Sequence, residues 1–253
     1  MWRDELEKVK QYYFLAHHYQ SIDSKSYQKY ISAYQHHLKK YVDLFEKKNA
    51  LHESVPIQAK RARVRFLHAA IVAARQPIDI YIDGKLVATI TYLTPNPHLS
   101  ISTGKHRVVL YPSRQTTNPI WKQEVTVGAG KRYLFVVANK NKNPADGIQL
   151  ISYAEAETVP ADKVKLRFIH LSPDAPSLDV KENQRNVSFS AVTYKESTSY
   201  ATTTLGRTNI SVRIAGTEDQ IASIAFDTTA RHAYTLIAAG EANNPYWLLL
   251  LDQ

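Results

Sequence analysis

One stretch of this 253-residue sequence occurs twice, and this repeat constrains the fold more than any other feature. The segment RFLH at 65–68 returns as RFIH at 167–170, an offset of 102 residues. Tyr92 likewise returns as Tyr194, and Gly104 returns as Gly206. Matches that keep their order and spacing predict two copies of one structural unit. Each copy has the size of an immunoglobulin-like domain.

From residue 61 onward, apolar residues recur with the period of two that is typical of β-strands. Asp83-Gly84 between two such segments indicates a tight hairpin, because both central residues of that turn need a positive φ angle. Strands this short and closely spaced predict β-sandwiches, one over residues 61–157 and one over 163–253, joined by a linker at 155–163. The strands predicted in the first copy are 64–68, 78–82, 85–91, 99–102, 107–111, 121–127, 133–138 and 148–153.

Residues 1–56 predict a helical hairpin, with Asp23 or Ser24 as the N-cap of the second helix and Pro56 beyond its end. Apolar residues recur at spacings of three and four along both helices, which indicates one narrow seam on each. We expect these seams to pack on each other and on the rest of the chain, a partner protein or a second copy. The seam residues are Leu6, Val9, Tyr13, Tyr27, Ile31, Tyr34, Leu38, Tyr41 and Phe45. The predicted fold is therefore mainly β with an α-helical N-terminal module: a helical hairpin followed by two tandem immunoglobulin-like β-sandwiches.

The composition excludes several classes of function. The chain has no cysteine, which removes thiolate catalysis, cysteine-ligated zinc and iron–sulfur clusters. We expect no cofactor. The net charge of +9 is uneven, with +3 in residues 1–60, +7 in 61–160 and −1 in 161–253. The N-terminus lacks the apolar run of a secretory signal peptide, so we expect synthesis in the cytoplasm without a leader.

The two copies carry motifs that resemble a bacterial and archaeal family, the domain of unknown function 4397. The second copy reads LRFIHLSPDAPSLDV at 166–180, and the first reads VRFLHAAIVAARQPIDIYIDGKLV at 64–87. The family's later G-x-H-x-V element is matched by GKHRV at 104–108, whereas GRTNI at 206–210 lacks the histidine. The resemblance covers residues 61–253 and implies a tandem repeat in an envelope or surface protein. It implies no particular activity.

The repeated polar residues of this motif are the first candidate site. They are Arg65, His68 and Asp79 in the first copy and Arg167, His170 and Asp179 in the second, with Asp174 in the second copy alone. A histidine beside an aspartate suits acid–base chemistry or metal binding. We favour a structural role, in which the histidine caps a strand end and the aspartate ties a turn to backbone amides.

Histidines and tyrosines on the helices suggest two further hypotheses, and we favour neither. His17-His18, His36-His37 and His52 are too widely spaced for one metal site within a hairpin. Tyrosines mixed with basic residues occur in nucleic-acid-binding surfaces, but here they fall on the helical seams and the chain has no nucleic-acid-binding motif. We do not expect nucleic acid as a partner.

Three functional hypotheses follow. The first is a non-enzymatic structural or interaction protein of a surface or envelope layer, such as that of a spore. In it the sandwiches form a rigid, rod-like spacer, and the hairpin docks to a partner protein or to itself. The second is a module that binds a glycan or anionic polymer through the basic first sandwich. The third is an enzyme that uses a His/Asp pair. The residues predicted to contact a polymer are Tyr92, Tyr111, Trp121, Lys131 and Arg132.

Overall fold

The computed structural model describes residues 2–19, 22–50, 61–74, 76–156, 158–182, 188–203 and 205–252. Helices α1 (Trp2–Tyr19) and α2 (Ser24–Ala50) precede an all-β region. The predicted fold class, mainly β with two N-terminal helices and tandem sandwiches, is confirmed. The side chains of His17 and Phe45, all of His52 and the predicted stop at Pro56 lie outside the described part of the chain.

Asp23 begins α2 by capping its free backbone amides. Its carboxylate accepts hydrogen bonds from the amides of Lys25 and Ser26, both at 3.1 Å. It also accepts one from the Ser26 hydroxyl, and these bonds hold the pKa of Asp23 below its usual range. A side-chain acceptor at this position satisfies donors that the first helical turn leaves unpaired. Asp23 is one of the two N-cap residues that the sequence predicts.

The first sandwich contains eight strands in two four-stranded sheets. The orders are β4-β1-β7-β8 and β3-β2-β5-β6. Its core lies between the sheets and includes Phe66, Ile80, Leu110 and Phe135. The strands are β1 (Arg61–His68), β2 (Ile78–Ile82), β3 (Lys85–Ile90), β4 (Leu99–Ser102), β5 (Gly104–Pro112), β6 (Trp121–Val127), β7 (Arg132–Asn139) and β8 (Ile148–Ala154).

The second sandwich repeats this topology strand for strand. Its sheets have the orders β12-β9-β15-β16 and β11-β10-β13-β14. Phe168, Val180, Val212 and Leu236 lie in the core between them. The strands are β9 (Val164–Leu171), β10 (Leu178–Glu182), β11 (Ser188–Val192), β12 (Ala201–Thr203), β13 (Gly206–Ile214), β14 (Gln220–Thr228), β15 (His232–Glu241) and β16 (Asn244–Leu251).

The strand order gives each sandwich a parallel pair at the centre of one sheet. β1 runs parallel to β7, with Arg65 opposite Leu134, and β9 runs parallel to β15, with Arg167 opposite Thr235. In an immunoglobulin constant domain the first strand pairs with the second. Here the first strand pairs with the fourth and the seventh. The two-sheet architecture agrees with the sequence prediction, whereas the strand order differs from that of an immunoglobulin constant domain.

The sandwiches stack face to face through the two sheets that contain these parallel pairs. A single apolar cluster joins them, and this contact replaces the rod that the tandem order suggested. It includes Leu67, Leu134, Val136, Ile169, Ile237, Leu248 and Leu250. Hydrogen bonds also cross the contact: the hydroxyl of Tyr153 donates to the carbonyl of Lys195 at 2.7 Å, and that of Tyr194 donates to the carbonyl of Asn139 at 2.7 Å. The chain is thus a stack of four sheets.

The helical hairpin packs on itself and on this stack. Its seam residues Val9, Tyr27, Ile31, Leu38 and Tyr41 are buried. Tyr13 connects the hairpin to the sandwiches, because its ring stacks on Tyr246 of β16 at 6.3 Å and lies 5.7 Å from that of Tyr34. Among the side chains of the hairpin that the structure describes, two large apolar ones stay exposed, Phe14 at 68% and Ile22 at 65%.

A polar cluster fastens α1 to α2 near the open end of the hairpin. The carboxylate of Glu5 contacts Nδ1 of His37 at 2.7 Å and Nζ of Lys40 at 3.0 Å, and its side chain is almost fully covered. The hydrogen bonds from His37, and then from Lys40, lower the pKa of Glu5 to about 2. The charged form of Glu5 therefore holds the helices together.

Glu5 predicts an acid sensitivity of the hairpin. Because the folded chain lowers the pKa of Glu5 from 4.5 to about 2, its contribution to stability is complete above pH 4.5 and is lost as the pH falls towards about 2. Glu5→Gln should flatten the dependence of helix unfolding on pH in this window, measured by circular dichroism. Glu7→Gln is the control, since exposed Glu7 contacts Lys10 of the same helix. Equal pH profiles for wild type and Glu5→Gln would contradict the assignment.

Candidate functional site

Both histidines of the repeated motif are buried at the ends of their strands. Nε2 of His68 donates to the carbonyl of Ala73 at 3.0 Å, and Nδ1 accepts from the amide of Ala70 at 3.3 Å. His170 makes the same two contacts, to the carbonyl of Pro176 at 3.0 Å and from the amide of Ser172 at 3.3 Å. Burial lowers the pKa of both histidines. Each ring is thus a neutral tie between a strand end and the following loop.

The two aspartates of the motif lie in the outer sheets and hold turns. Asp79 accepts from the hydroxyl of Thr89 at 2.7 Å and from the amide of Arg114 at 3.0 Å. Asp179 accepts from the amides of Ala191 at 2.7 Å and Gly216 at 3.2 Å. The histidines and aspartates therefore use their polar atoms on separate partners. The His/Asp pair that the enzyme hypothesis requires is not formed among these contacts.

Arg65 crosses from the first sandwich into the second. Its guanidinium donates from Nε to Glu155 at 2.6 Å and from Nη1 to the carbonyl of Leu251 at 2.9 Å. Its Nη2 atom donates to the carboxylate of Asp252. All three side chains are buried. This motif arginine is therefore the centre of an ion cluster between the two copies.

Arg167 makes the reciprocal crossing. Its Nη1 atom donates to the carbonyl of Ala154 at 2.6 Å, and Ala154 ends β8 as Leu251 ends β16. Its Nε atom donates to the hydroxyl of Thr235 at 2.8 Å, and its guanidinium lies 4.7 Å from the ring centre of Tyr200. Equivalent arginines thus bind equivalent carbonyls of the opposite copy. This is the pattern of a two-fold symmetric dimer interface, here within one chain.

The acidic partners in this ion cluster are themselves held in place. Nε2 of His98 contacts Glu155 at 2.5 Å, while the hydroxyls of Tyr200 and Thr235 each donate to Asp252 at 2.5 Å. Burial alone would raise the pKa of Glu155, but Arg65 and then His98 lower it to about 2. Burial raises the pKa of Asp252 despite the opposing charge of Arg65. Two buried arginines therefore face two buried carboxyl groups.

Asp174 belongs to a loop contact that is specific to the second copy. Its carboxylate accepts from the amide of Ala242 at 3.0 Å, and the neighbouring Ser172 donates to the carbonyl of Gly240 at 2.7 Å. The Ser-Pro-Asp tripeptide thus fixes the turn between β15 and β16. Gly240 itself has φ +83°, and a Cβ there would lie 2.6 Å from the ring of Tyr246.

The five residues predicted to contact a polymer do not share a face. Tyr92 packs between His68 and Tyr246, where the sandwiches meet. Trp121 packs against the core of the first sandwich, and Arg132 donates to the carbonyl of Asp252 at 3.1 Å. Lys131 is exposed in the turn before β7, and Tyr111 lies on the face of the outer sheet that points away from the core, opposite to Trp121. The five residues therefore do not form one surface in the structure, because alternate residues of a strand point to opposite faces.

The outer sheet of the first sandwich contains a different aromatic and basic group. The rings of Tyr81 and Tyr111 meet edge to face at 5.3 Å, and Leu86 beside Tyr81 is 52% exposed. Exposed Lys122, opposite Val109, lies on the same face. The equivalents of Tyr81 and Tyr111 in the second copy are Lys181 and Arg213. The aromatic pair therefore belongs to one copy and is not required by the fold.

The repeated motif pointed to Arg65 and Arg167 but not to the residues that surround them. These are His98, Glu155, Tyr200, Thr235 and Asp252. A signal was present, because His98 and Tyr200 are related by the 102-residue offset, and Glu155 and Asp252 each follow the last strand of their copy. The sequence alone places Glu155 in the predicted linker.

Within the described ranges, no group of three or more histidine, aspartate or glutamate side chains is placed to hold a metal ion. The same ranges contain no helix long and apolar enough to cross a membrane.

Fold and repeat together define a protein made of two β-sandwich domains that pack as a pseudo-symmetric pair. The sequence matches the family described as "Domain of unknown function (DUF4397)" over residues 62–181 and 173–253, and the chain belongs to this family. The resemblance seen in the motifs is thereby confirmed. A comparison with curated proteins gives no match.

Solved structures give only distant similarity. The Bacillus anthracis TIE protein is 11% identical with a TM-score of 0.23, covering 70% of this chain and 33% of its own length. A CBM26 module from Eubacterium rectale in complex with maltoheptaose is 12% identical with a TM-score of 0.23, covering 74% and 96%. The fimbrial anchor protein Mfa2 from Porphyromonas gingivalis is 10% identical with a TM-score of 0.20, covering 76% and 97%. This chain thus spans about a third of the TIE protein, and TM-scores this low support no functional inference.

The ion cluster predicts that Arg65 is essential for joining the two copies. Arg65→Met should lower the free energy of unfolding by about 3–5 kcal/mol, because Glu155 and Asp252 would stay buried without the arginine that contacts both of them. Urea unfolding measures the loss. Arg63→Met, at an exposed position of the same strand, should change it by about 0.5 kcal/mol or less.

A second variant separates charge from packing. Glu155→Gln added to Arg65→Met removes one of the uncompensated charges and should restore part of the lost stability. If Arg65→Met unfolds like wild type, or if the double variant is no more stable than Arg65→Met, the ion cluster does not hold the copies together.

Proposed function

We propose that this chain is a non-enzymatic structural and interaction protein of a surface or envelope layer, such as that of a spore. In this role the stacked sandwiches form a rigid spacer and the helical hairpin is the docking or self-association module. The observation that carries the proposal is that the repeated Arg/His/Asp residues make contacts that hold strands, turns and the two copies together.

The contact between the copies supports the rigid spacer. Domains joined by small, polar contacts move relative to one another, whereas a large apolar interface restricts such motion. Here an apolar cluster and the buried arginines both cross the contact. A force applied at one outer sheet would therefore be transmitted to the other outer sheet, because the two sandwiches do not bend relative to each other.

The hairpin supports docking through its remaining exposed residues. The predicted seam is largely used within the chain, since Val9, Tyr34 and Leu38 are buried there. A partner or a second copy would instead contact the outside of the hairpin, where Phe14 and Ile22 are exposed. Each of these exposed apolar side chains would lose contact with water when a partner covers it, which favours association.

Two measurements test this proposal. Fractionation of the native organism, with an antibody to the chain, should place it in the surface or envelope layer. Light scattering of the full-length chain should show association that Phe14→Ser with Ile22→Ser abolishes, while Ile221→Ser, at an exposed position of β14, leaves it unchanged. A purely cytosolic location would overturn the surface role, and a concentration-independent monomer that captures no partner would overturn the docking role.

A second candidate function is binding of an anionic polysaccharide, favoured by the outer sheet of the first sandwich. Partly exposed Tyr81 and Tyr111 provide ring faces and edges, and exposed Lys105, Arg107 and Lys122 provide positive charge on neighbouring strands. Glu124 lies opposite Arg107 and interrupts the positive track that a continuous phosphodiester backbone would need. The arrangement therefore suits acidic sugars better than nucleic acid.

Retention on immobilised polygalacturonate tests the second candidate. Tyr81→Ala with Tyr111→Ala should reduce binding about thirtyfold, since the two exposed stacking contacts contribute about 1 kcal/mol each and about 2 kcal/mol together. Lys181→Ala with Arg213→Ala changes the same two positions of the second copy and should have little effect. Equal losses from both pairs would indicate general electrostatic attraction, and tighter binding of single-stranded DNA would indicate nucleic acid. Either result would overturn this candidate.

A further inference from the structure

A cavity of about 330 Å³ lies where the hairpin and the two sandwiches meet. Helix α2 forms one wall, the loop before β4 forms the second, and strands β15 and β16 of the other copy contribute to the third. Its volume is within the range of small-molecule sites, which are typically found at domain junctions. All three parts of the chain are needed to enclose it.

The helical wall is a polar stripe. Ser32, Gln35, His36 and Lys39 line the cavity, and their spacing of three and four residues places them on one face of α2. The Nε2 atom of Gln35 is buried and has no hydrogen-bond partner among the described residues. His36 and Lys39 are exposed and so mark the side that opens to solvent. This wall offers a hydrogen-bond donor beside a cation.

The remaining walls are chiefly apolar. Pro95 and Pro97 come from the first copy, and Leu249 and Leu251 come from the second. The charged groups on these walls already have partners: Arg65 binds Glu155 and Asp252, His98 binds Glu155, and Asp227 faces Arg207 at 3.7 Å. Lys39 and the amide of Gln35, with Ser32 and His36 beside them on α2, are thus the groups placed to receive a polar ligand atom.

We propose that this cavity binds an amphipathic carboxylate, such as a medium-chain fatty acid. The carboxylate would accept hydrogen bonds from Gln35 and Lys39, and the hydrocarbon chain would lie against the proline and leucine walls. A buried donor without a partner favours a ligand acceptor, and a lysine ammonium strengthens that contact when the acceptor is charged. Because the walls come from three parts of the chain, the bound ligand would also fasten the hairpin to the stack.

Calorimetric titration of the full-length chain with decanoate tests this site. One equivalent should bind, and decanol should bind at least about tenfold more weakly because it lacks the charge. Lys39→Gln should weaken decanoate binding about tenfold, the effect of losing one charge-assisted hydrogen bond, and Gln35→Leu should weaken it by a similar factor. Lys25→Gln, on the same helix but not lining the cavity, is the matched control and should bind like wild type.

A cavity-filling variant gives an independent readout. Ser32 is exposed and lines the cavity, so Ser32→Phe should fill the space without disturbing the core, and its melting curve should stay close to that of wild type. This variant should lose decanoate binding. Binding that survives Ser32→Phe, equal affinity for decanol and decanoate, or no binding by the wild-type chain would each overturn the proposal. The proposal is independent of the surface role and of the polysaccharide site.

Discussion

The packing of the two inner sheets against each other is the constraint on which the rest of the structure depends. Strands β1, β7, β9 and β15 are buried on both faces. One face of each strand packs on the outer sheet of the same sandwich, and the other face packs on the opposite copy. A strand covered on both sides can carry a charged residue only if that charge is balanced inside. Arg65 and Arg167 meet this condition because each crosses to the end of the last strand of the other copy, and Glu155 and Asp252 supply the negative charge.

The sequence carried the information for the sandwiches but not for their stacking. Alternating apolar residues predicted the strands closely, because a period of two reports one buried face. The inner strands instead contain continuous apolar runs, such as 134–138 and 236–239, which are typical of strands buried on both faces. In the first copy the pattern predicts 133–138 as a strand without indicating that a second face is buried, and the tandem order therefore suggests a rod. The partners of Arg65 lie 90 and 187 residues away in the chain, beyond the reach of any local pattern.

The candidate site was predicted in part. The repeat located His68, His170, Asp79 and Asp179, and chemistry suggested strand-end and turn contacts for them because a buried histidine without a carboxylate partner must use backbone groups. The predicted polymer-contact residues share aromatic or basic character, but residue type does not show which face of a sheet a side chain is on. Side chains alternate between the two faces along a strand, so these residues lie on different surfaces. Trp121 points into the core while Lys122, its neighbour, points outward, so only pairing registers could show which aromatic residues share a surface.

The differences between the two copies indicate which residues are candidates for a specific function. Whatever the shared fold needs occurs twice, as the arginines, the histidines and the turn-holding aspartates do. The aromatic pair Tyr81 and Tyr111 occurs once, and the hairpin covers one side of a pseudo-symmetric stack, where it encloses a cavity with Pro97 and Leu251. A pseudo-two-fold arrangement supplies an internal control for each such feature, because the second copy folds with Lys181 and Arg213 in place of the tyrosines. Tyr81 and Tyr111 are therefore free of the folding requirement and open to selection for binding.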